Sequence, residues 1–177
     1  MLLKDQICTL RPVSQDDIAR SLIWRNDPLI KKDLQTYRLP ITKPMEDDWI
    51  EKAMNGDQDR VVFAIDENSS HQHVGFIELN SIDYFNRSGQ FAIVIGDVSA
   101  QGKGIGMSAT RQLLDYGFNQ LNLNKVYLQV AEYNRTALGL YEKMGFITEG
   151  TIRSQYFKDG AYFDMIAMGL LASEFTA

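Results

Sequence analysis

The sequence predicts an α+β fold: a mixed, mostly antiparallel central sheet of about seven strands with helices on both faces. Three observations carry that reading. Short runs with the two-residue period of a strand recur along the chain, among them Ile7 to Val13, Val61 to Ile65, His73 to Leu79 and Lys125 to Ala131. Between them stand runs with the helical spacing of three and four, most clearly Ile105, Ala109, Leu113, Leu114, Gly117, Phe118 and Leu121. At the centre, Phe91 to Ile95 is apolar on both alternating faces, the mark of a central strand, and leads into Gln101-Gly102-Lys103-Gly104-Ile105-Gly106 and that helix.

Taken in order, Ile7 to Val13 is a first strand, closed by Pro12-Val13-Ser14. Ser14 with Asp17 three residues on reads as a helix start, and Ile18, Leu22 and Ile23 supply an apolar stripe. Pro28 pushes Asp27 away from helical angles and ends the helix there. A short helical piece is expected from Ile30 to Leu34, then a linker from Thr36 to Pro44, then a helix behind Thr42 that ends near Asn55-Gly56. Val61 to Ile65 and His73 to Leu79 form a hairpin about the turn Asp66 to Gln72, which would leave His71 and His73 solvated. After the glycine loop and its helix, Lys125 to Ala131 is a strand with Val126, Leu128 and Val130 on one face. Asn134 reads as an N-cap and Gly145-Phe146 as the matching helix end. Ile147 to Phe157 and Tyr162 to Leu170 close the chain as a hairpin about Asp159-Gly160. No repeat or interdomain linker interrupts the pattern, so residues 1–177 read as a single domain.

Composition narrows the function. A net charge of −5 over 177 residues argues against nucleic acid or an anionic membrane as partner; it is compatible with an amine substrate, although solubility alone also explains it. The one cysteine, Cys8, sits in a strand-like run and reads as a buried structural residue. Two histidines at i and i+2, with no acidic or sulfur ligand at a recognised spacing, do not make a metal site. Neither a signal-peptide pattern nor a run of roughly 18 apolar residues is seen, so the cytoplasm is the expected location.

The central junction carries the chemistry. A strand, a glycine-rich turn and a helix aim backbone N–H groups at an anion, and the helix dipole adds to the attraction. A phosphate or pyrophosphate is therefore the expected ligand. A Walker loop would place Ser or Thr after Gly-Lys, whereas Lys103 is followed by Gly104. A dinucleotide fingerprint normally follows the first strand of its unit, whereas this loop follows about four. A purely structural turn does not account for three alternating glycines before so regular a helix.

Gln101 to Gly106 resembles the Q/R-x-x-G-x-G/A signature of the GNAT superfamily of acyl-CoA-dependent N-acetyltransferases. Asn134 to Phe146 resembles that family's N-x-x-A-x-x-L-Y-E-K-x-G-F segment. Leu10-Arg11-Pro12, Trp24-Arg25-Asn26-Asp27-Pro28, Gly150 with Arg153, and Asp159-Gly160 with Tyr162 and Asp164 are similar to the RimJ/RimL-like branch. The likeness is weakest from Tyr37 to Gly56.

The resemblance implies the GNAT fold and acetyl-CoA as the acyl donor, with no metal. Backbone groups of Ile93, Val94 and Ile95 would pair with the pantetheine and polarise the thioester carbonyl. The N–H groups of Gly102, Lys103, Gly104, Ile105 and Gly106 would cradle the pyrophosphate, with the Gln101 and Lys103 side chains beside it. Asn134 would cap its helix and reach the cofactor. Tyr141 matches the family tyrosine near the sulfur and would act as general acid. Some relatives carry a glutamate base where this chain has Gln129. Glu78, then Glu132 and Asp97, are the substitutes, or a water relay. Trp24, Arg25, Asn26, Tyr84, Tyr156 and Tyr162 would line the acceptor pocket. The acceptor is expected to be an amine: a protein α-amine, a polyamine, an amino-sugar nucleotide or an aminoglycoside. A homodimer is compatible with the family, and a non-catalytic acyl-CoA-binding or sensory module is the rival reading.

Overall fold

The computed structural model describes residues 2–32, 34, 39–56 and 58–176. Among these, eight strands are formed: β1 Leu3–Lys4, β2 Cys8–Pro12, β3 Val61–Glu67, β4 Gln72–Asp83, β5 Ser88–Ile95, β6 Lys125–Ala131, β7 Ile147–Lys158 and β8 Ala161–Leu171. Five α-helices accompany them: α1 Ile18–Asn26, α2 Pro28–Lys31, α3 Lys43–Asn55, α4 Ile105–Asn119 and α5 Arg135–Lys143. The strands build one mixed sheet in the order β1-β2-β3-β4-β5-β6-β8-β7. Only β5 and β6 run parallel. The strand beyond the expected seven is β1, whose two residues pair with Leu10 and Thr9 and are too few to show a period.

Helices cover both faces. Neighbours along a strand point to opposite sides, and the core divides accordingly. Phe63, Ile65, Ile77 and Leu79 join Ile105, Leu113 and Leu114 of α4 and Tyr141 of α5. Val62, Ala64 and Phe76 join Trp24 of α1 and Ile50 of α3.

Several ends follow from local chemistry. The Asn134 side chain accepts the Ala137 N–H at 3.1 Å and caps α5. At its other end Gly145 takes φ 90°, and the N–H of Phe146 reaches the Tyr141 carbonyl at 2.9 Å, which completes the glycine termination. Asp159 and Gly160, at φ 48° and 82°, make the tight turn between β7 and β8. Pro28 opens α2 at its first position, with Asp27 accepting the Leu29 N–H at 2.8 Å, so the short helix starts and ends earlier than Ile30 to Leu34. The start of the expected linker, Thr36 to Arg38, lies outside the described residues.

The inner face of α1 differs from the predicted stripe. Ile23 is 68% exposed, while Ser21 and Trp24 are buried, in line with Asp17 one turn earlier. Asp17 and Ser21 tolerate burial because each is paired, Asp17 with Arg11 at 2.7 Å and Ser21 with Glu46. A stripe read from apolar residues alone passes over such positions.

The indole of Trp24 lies on Gly96, just past β5. A Cβ there would fall 2.2 Å from the ring. Gly96→Ala should therefore push α1 off the sheet and cost about 1–3 kcal/mol in urea unfolding, with a change in tryptophan emission. A loss under about 0.5 kcal/mol would show that α1 repacks freely.

Candidate active site

The parallel pairing of β5 with β6 is short. Ser88, Gly89 and Gln90 pair with Lys125, Val126 and Tyr127, after which the strands diverge. Beyond that point β5 is held by β4, with Ile93 opposite Ile77, Val94 opposite Phe76 and Ile95 opposite Gly75. β6 is held by β8 as far as Ala131. The result is a wedge in the sheet, walled on one side by the half-buried Ile93, Val94 and Ile95.

At the open end of the wedge is the glycine loop. Gly102 and Gly104 adopt φ 75° and 81°, values that side chains resist, and a Cβ at Gly102 would touch nothing. Gly104 is the N-cap of α4 and gives the helix no side-chain cap. Among the described residues, the N–H groups from Gly102 to Met107 find no acceptor. Glycine in place of a capping side chain costs only a few tenths of a kcal/mol. Ile105, only 1% exposed, offsets it by sinking the first turn of α4 into the core. The Gln101 side chain donates to the Ile95 carbonyl at 3.1 Å, joining loop to strand, and the Lys103 ammonium reaches Glu67 at 2.9 Å.

Tyr141 stands on the α4 side of the wedge, its ring 5.8 Å from those of Phe91 and Phe146. Burial raises its phenol to about 12, and its hydroxyl makes no hydrogen bond among the described residues. Glu78 is opposite Ala92, next to Ile77 of the α4-side core, and so faces the other way. Its Oε2 accepts Arg60 Nη2 at 2.5 Å and Nε at 3.1 Å; its Oε1 accepts Asn80 at 3.0 Å. Glu132 accepts the Asp164 N–H, and Asp97 holds Arg20 and Ser99.

The chain belongs to the acetyltransferase (GNAT) domain family. That family's model matches residues 8–147. The chain is 39% identical over 109 residues to a spermidine N(1)-acetyltransferase of Vibrio cholerae, 62% of each chain. It is 33% identical over 100 residues to a putative ribosomal N-acetyltransferase of Bacillus subtilis, 56% of this chain and 54% of that one. Both matches span less than two thirds of the relatives' own length. A crystal structure of spermidine N-acetyltransferase from Vibrio cholerae in complex with CoA and spermine superposes with TM-score 0.87. The pair is 30% identical, covering 96% of this chain and 98% of that one.

The residues expected to line the acceptor side of this acetyltransferase domain do not gather in one place. Tyr84 lies in the β4–β5 turn, at the opposite end of β5 from the glycine loop. Asn26 clasps Ile41 through two hydrogen bonds of 2.9 Å, and Tyr156 donates to the Leu34 carbonyl at 3.2 Å. Tyr162 is exposed against Phe157. Arg25 lies over Trp49, 4.1 Å from the ring centroid, and Arg60 also lies over it at 5.1 Å. Each guanidinium meets a carboxylate, Glu46 for Arg25 and Glu78 for Arg60. Glu46 is fully buried, which an i, i+4 pattern of charges on an exposed face would not suggest.

His73 also departs from expectation. β4 begins at Gln72, one residue before it, so His73 is inside the fold at 7% exposure rather than at a hairpin tip. It packs against Trp24 and Phe76, with ring centroids 5.0 and 4.6 Å away, and Nδ1 donates to the Ile65 carbonyl at 3.3 Å. Burial holds its pKa below the usual 6.5, Arg11 acts the same way, and Asp17 and Asp66 oppose them. The unfolded chain thus binds a proton near pH 6.5 that the folded chain refuses, so stability should fall as pH drops below 6.5. His73→Phe should flatten that slope in urea titrations followed at successive pH values. An unchanged slope would assign the proton elsewhere.

Proposed function

We propose that the chain transfers the acetyl group of acetyl-CoA directly to a primary amine. The observation that carries this is the row of N–H groups from Gly102 to Met107, without acceptors among the described residues, at the mouth of the wedge. A diphosphate fits that row, and a pantetheine arm fits the unpaired edge of β5 below it. Ile93, Val94 and Ile95 would offer backbone groups to the arm and the thioester carbonyl. Gly102, Lys103, Gly104, Ile105 and Gly106 would hold the diphosphate, Gln101 would brace the loop against Ile95, and Asn134 would stand at the far wall on the start of α5. The amine nitrogen attacks the thioester carbon, the C–S bond breaks, and Tyr141 gives its proton to the departing sulfur. Glu78 is the proposed proton acceptor. Arg60 occupies Oε2, which leaves Oε1, held among the described residues by Asn80 alone, to receive the proton through water. No metal enters this scheme.

Among acceptors, similarity to spermidine acetyltransferases favours a polyamine over a protein N-terminal amine or an amino sugar. The putative ribosomal relative keeps the RimJ/RimL-like reading as the second choice. We take residues 1–177 as one such domain, because a single sheet runs from Leu3 to Leu171. No helix among the described residues is long and apolar enough to cross a membrane. A cytoplasmic location fits that, and the exposed edge strand β7 suits a homodimer.

Two measurements test the reading. Gly106 has an ordinary helical φ, and a Cβ there would point at Ile95 and Leu140 from 4.0 and 3.9 Å, into the wedge mouth. Gly106→Glu should therefore abolish acetyl-CoA binding in calorimetry without unfolding the protein; unchanged affinity would sink the loop assignment. Thiol release from acetyl-CoA, followed over a panel with spermidine, spermine, an N-terminal peptide and an amino sugar, should show turnover. Tyr141→Phe should lower kcat by about 10²–10⁴-fold and move the acetyl-CoA KM far less. Cofactor binding with no turnover for any amine would favour a non-catalytic acyl-CoA-binding module of the same fold.

A further inference from the structure

Lys103 lies between the two left-handed glycines of the loop, Gly102 and Gly104. Its Nζ donates to Oε1 of Glu67, the last residue of β3, at 2.9 Å. Glu67 is buried, and its other oxygen accepts the Ser70 hydroxyl at 2.7 Å within the β3–β4 turn. Ser70 first, then Lys103, holds the carboxyl below the ordinary glutamate range, so it is an anion at neutral pH. An anion one lysine side chain away from a nest for diphosphate opposes tight binding. It cancels the one cationic side chain between Gln101 and Gly106, so the pair brings no net positive charge to the ligand.

We propose that Glu67 is a positioning residue that holds Lys103 off the diphosphate and thereby sets how readily CoA leaves. The inference rests on the reading of the loop as the CoA pyrophosphate site. CoA and acetyl-CoA share the diphosphate, so any contact added there retains product as firmly as donor. Uniform binding of this kind lowers KM without raising kcat. A carboxylate that neutralises Lys103 keeps the backbone N–H groups as the selective element and avoids a second clamp.

Calorimetry with CoA on the whole chain tests this. Glu67→Gln keeps the shape and a partner for Ser70, and should lower the Kd for CoA about three- to tenfold at low salt, with the gain shrinking as salt rises. Acetyl-pantetheine lacks the diphosphate, so its KM should not change. Lys103→Met leaves the Glu67 charge bare and should raise the Kd for CoA. The Glu67→Gln, Lys103→Met double variant removes both charges and should return Kd to within about threefold of the unaltered protein. A double variant as weak as Lys103→Met would mean that Lys103 already clamps the phosphates and would overturn the proposal. So would a Kd unchanged or raised by Glu67→Gln, or an equal gain for acetyl-pantetheine. Failure of the unaltered protein to bind CoA would overturn the loop assignment along with it.

Discussion

A helix start leaves backbone N–H groups without intrahelical partners, and α4 begins with a row of them that find no acceptor among the described residues. The fold compensates from beneath. Asp5 accepts the N–H groups of Ile7 and Cys8 at 2.8 and 3.0 Å and the Ser108 hydroxyl at 2.5 Å. Ser108 also meets the Cys8 thiol at 3.0 Å, and Gln112 donates to the Cys8 carbonyl at 3.3 Å. The turn between β1 and β2 is thus bolted to the first two turns of α4, and Ile105, 1% exposed, anchors the first of them in the core. These contacts fix the helix where no cap does, leaving its N–H groups outward and available to an anion.

The wedge is held open in a similar way. After Gln90 and Tyr127, β5 and β6 no longer share hydrogen bonds, but neither strand is loose. β6 is paired with β8 along its whole length, from Lys125 with Leu171 to Ala131 with Met165. The far end of β5 is gripped by β4, by Trp24 over Gly96, and by Arg20, which reaches Asp97 at 2.7 Å. Helix α1 therefore bears on the segment that joins the strand to the glycine loop. Any shift of α1 would be felt at both.

How much of this was legible depended on the range of the interaction. Asn134 as a cap, Gly145 past the end of α5 and Asp159-Gly160 in a turn are decided by neighbours within a few residues, and each was readable. The glycine loop was readable too, because left-handed backbone at Gly102 and Gly104 is a local demand. Pairings across the fold were not. Arg11 with Asp17 and Asp66, Ser21 with Glu46, and His73 beneath Trp24 bury polar residues whose sequence context is that of solvated ones. Tyr84 is expected near the acceptor from the family resemblance, and the direction of β5 puts it at the far end. Glu67 carried no motif at all; only the fold brings it to Lys103.

Proton transfer under the proposed mechanism raises a question of matching. A phenol raised to about 12 would be a poor donor to a thiolate in water, where thiols titrate near 8.5. The burial that lifts Tyr141, however, acts on any anion that shares its surroundings. Cys8 supplies a gauge within the same protein: burial lifts its thiol to about 11. A sulfur enclosed beside Tyr141 would be raised in the same direction, which narrows the gap in acidity between the two groups. A sulfur open to water would not. Under the proposed mechanism Tyr141 would therefore depend, as acid, on the walls of the wedge enclosing the thioester, which ties the chemistry to the short parallel pairing of β5 with β6 that creates those walls.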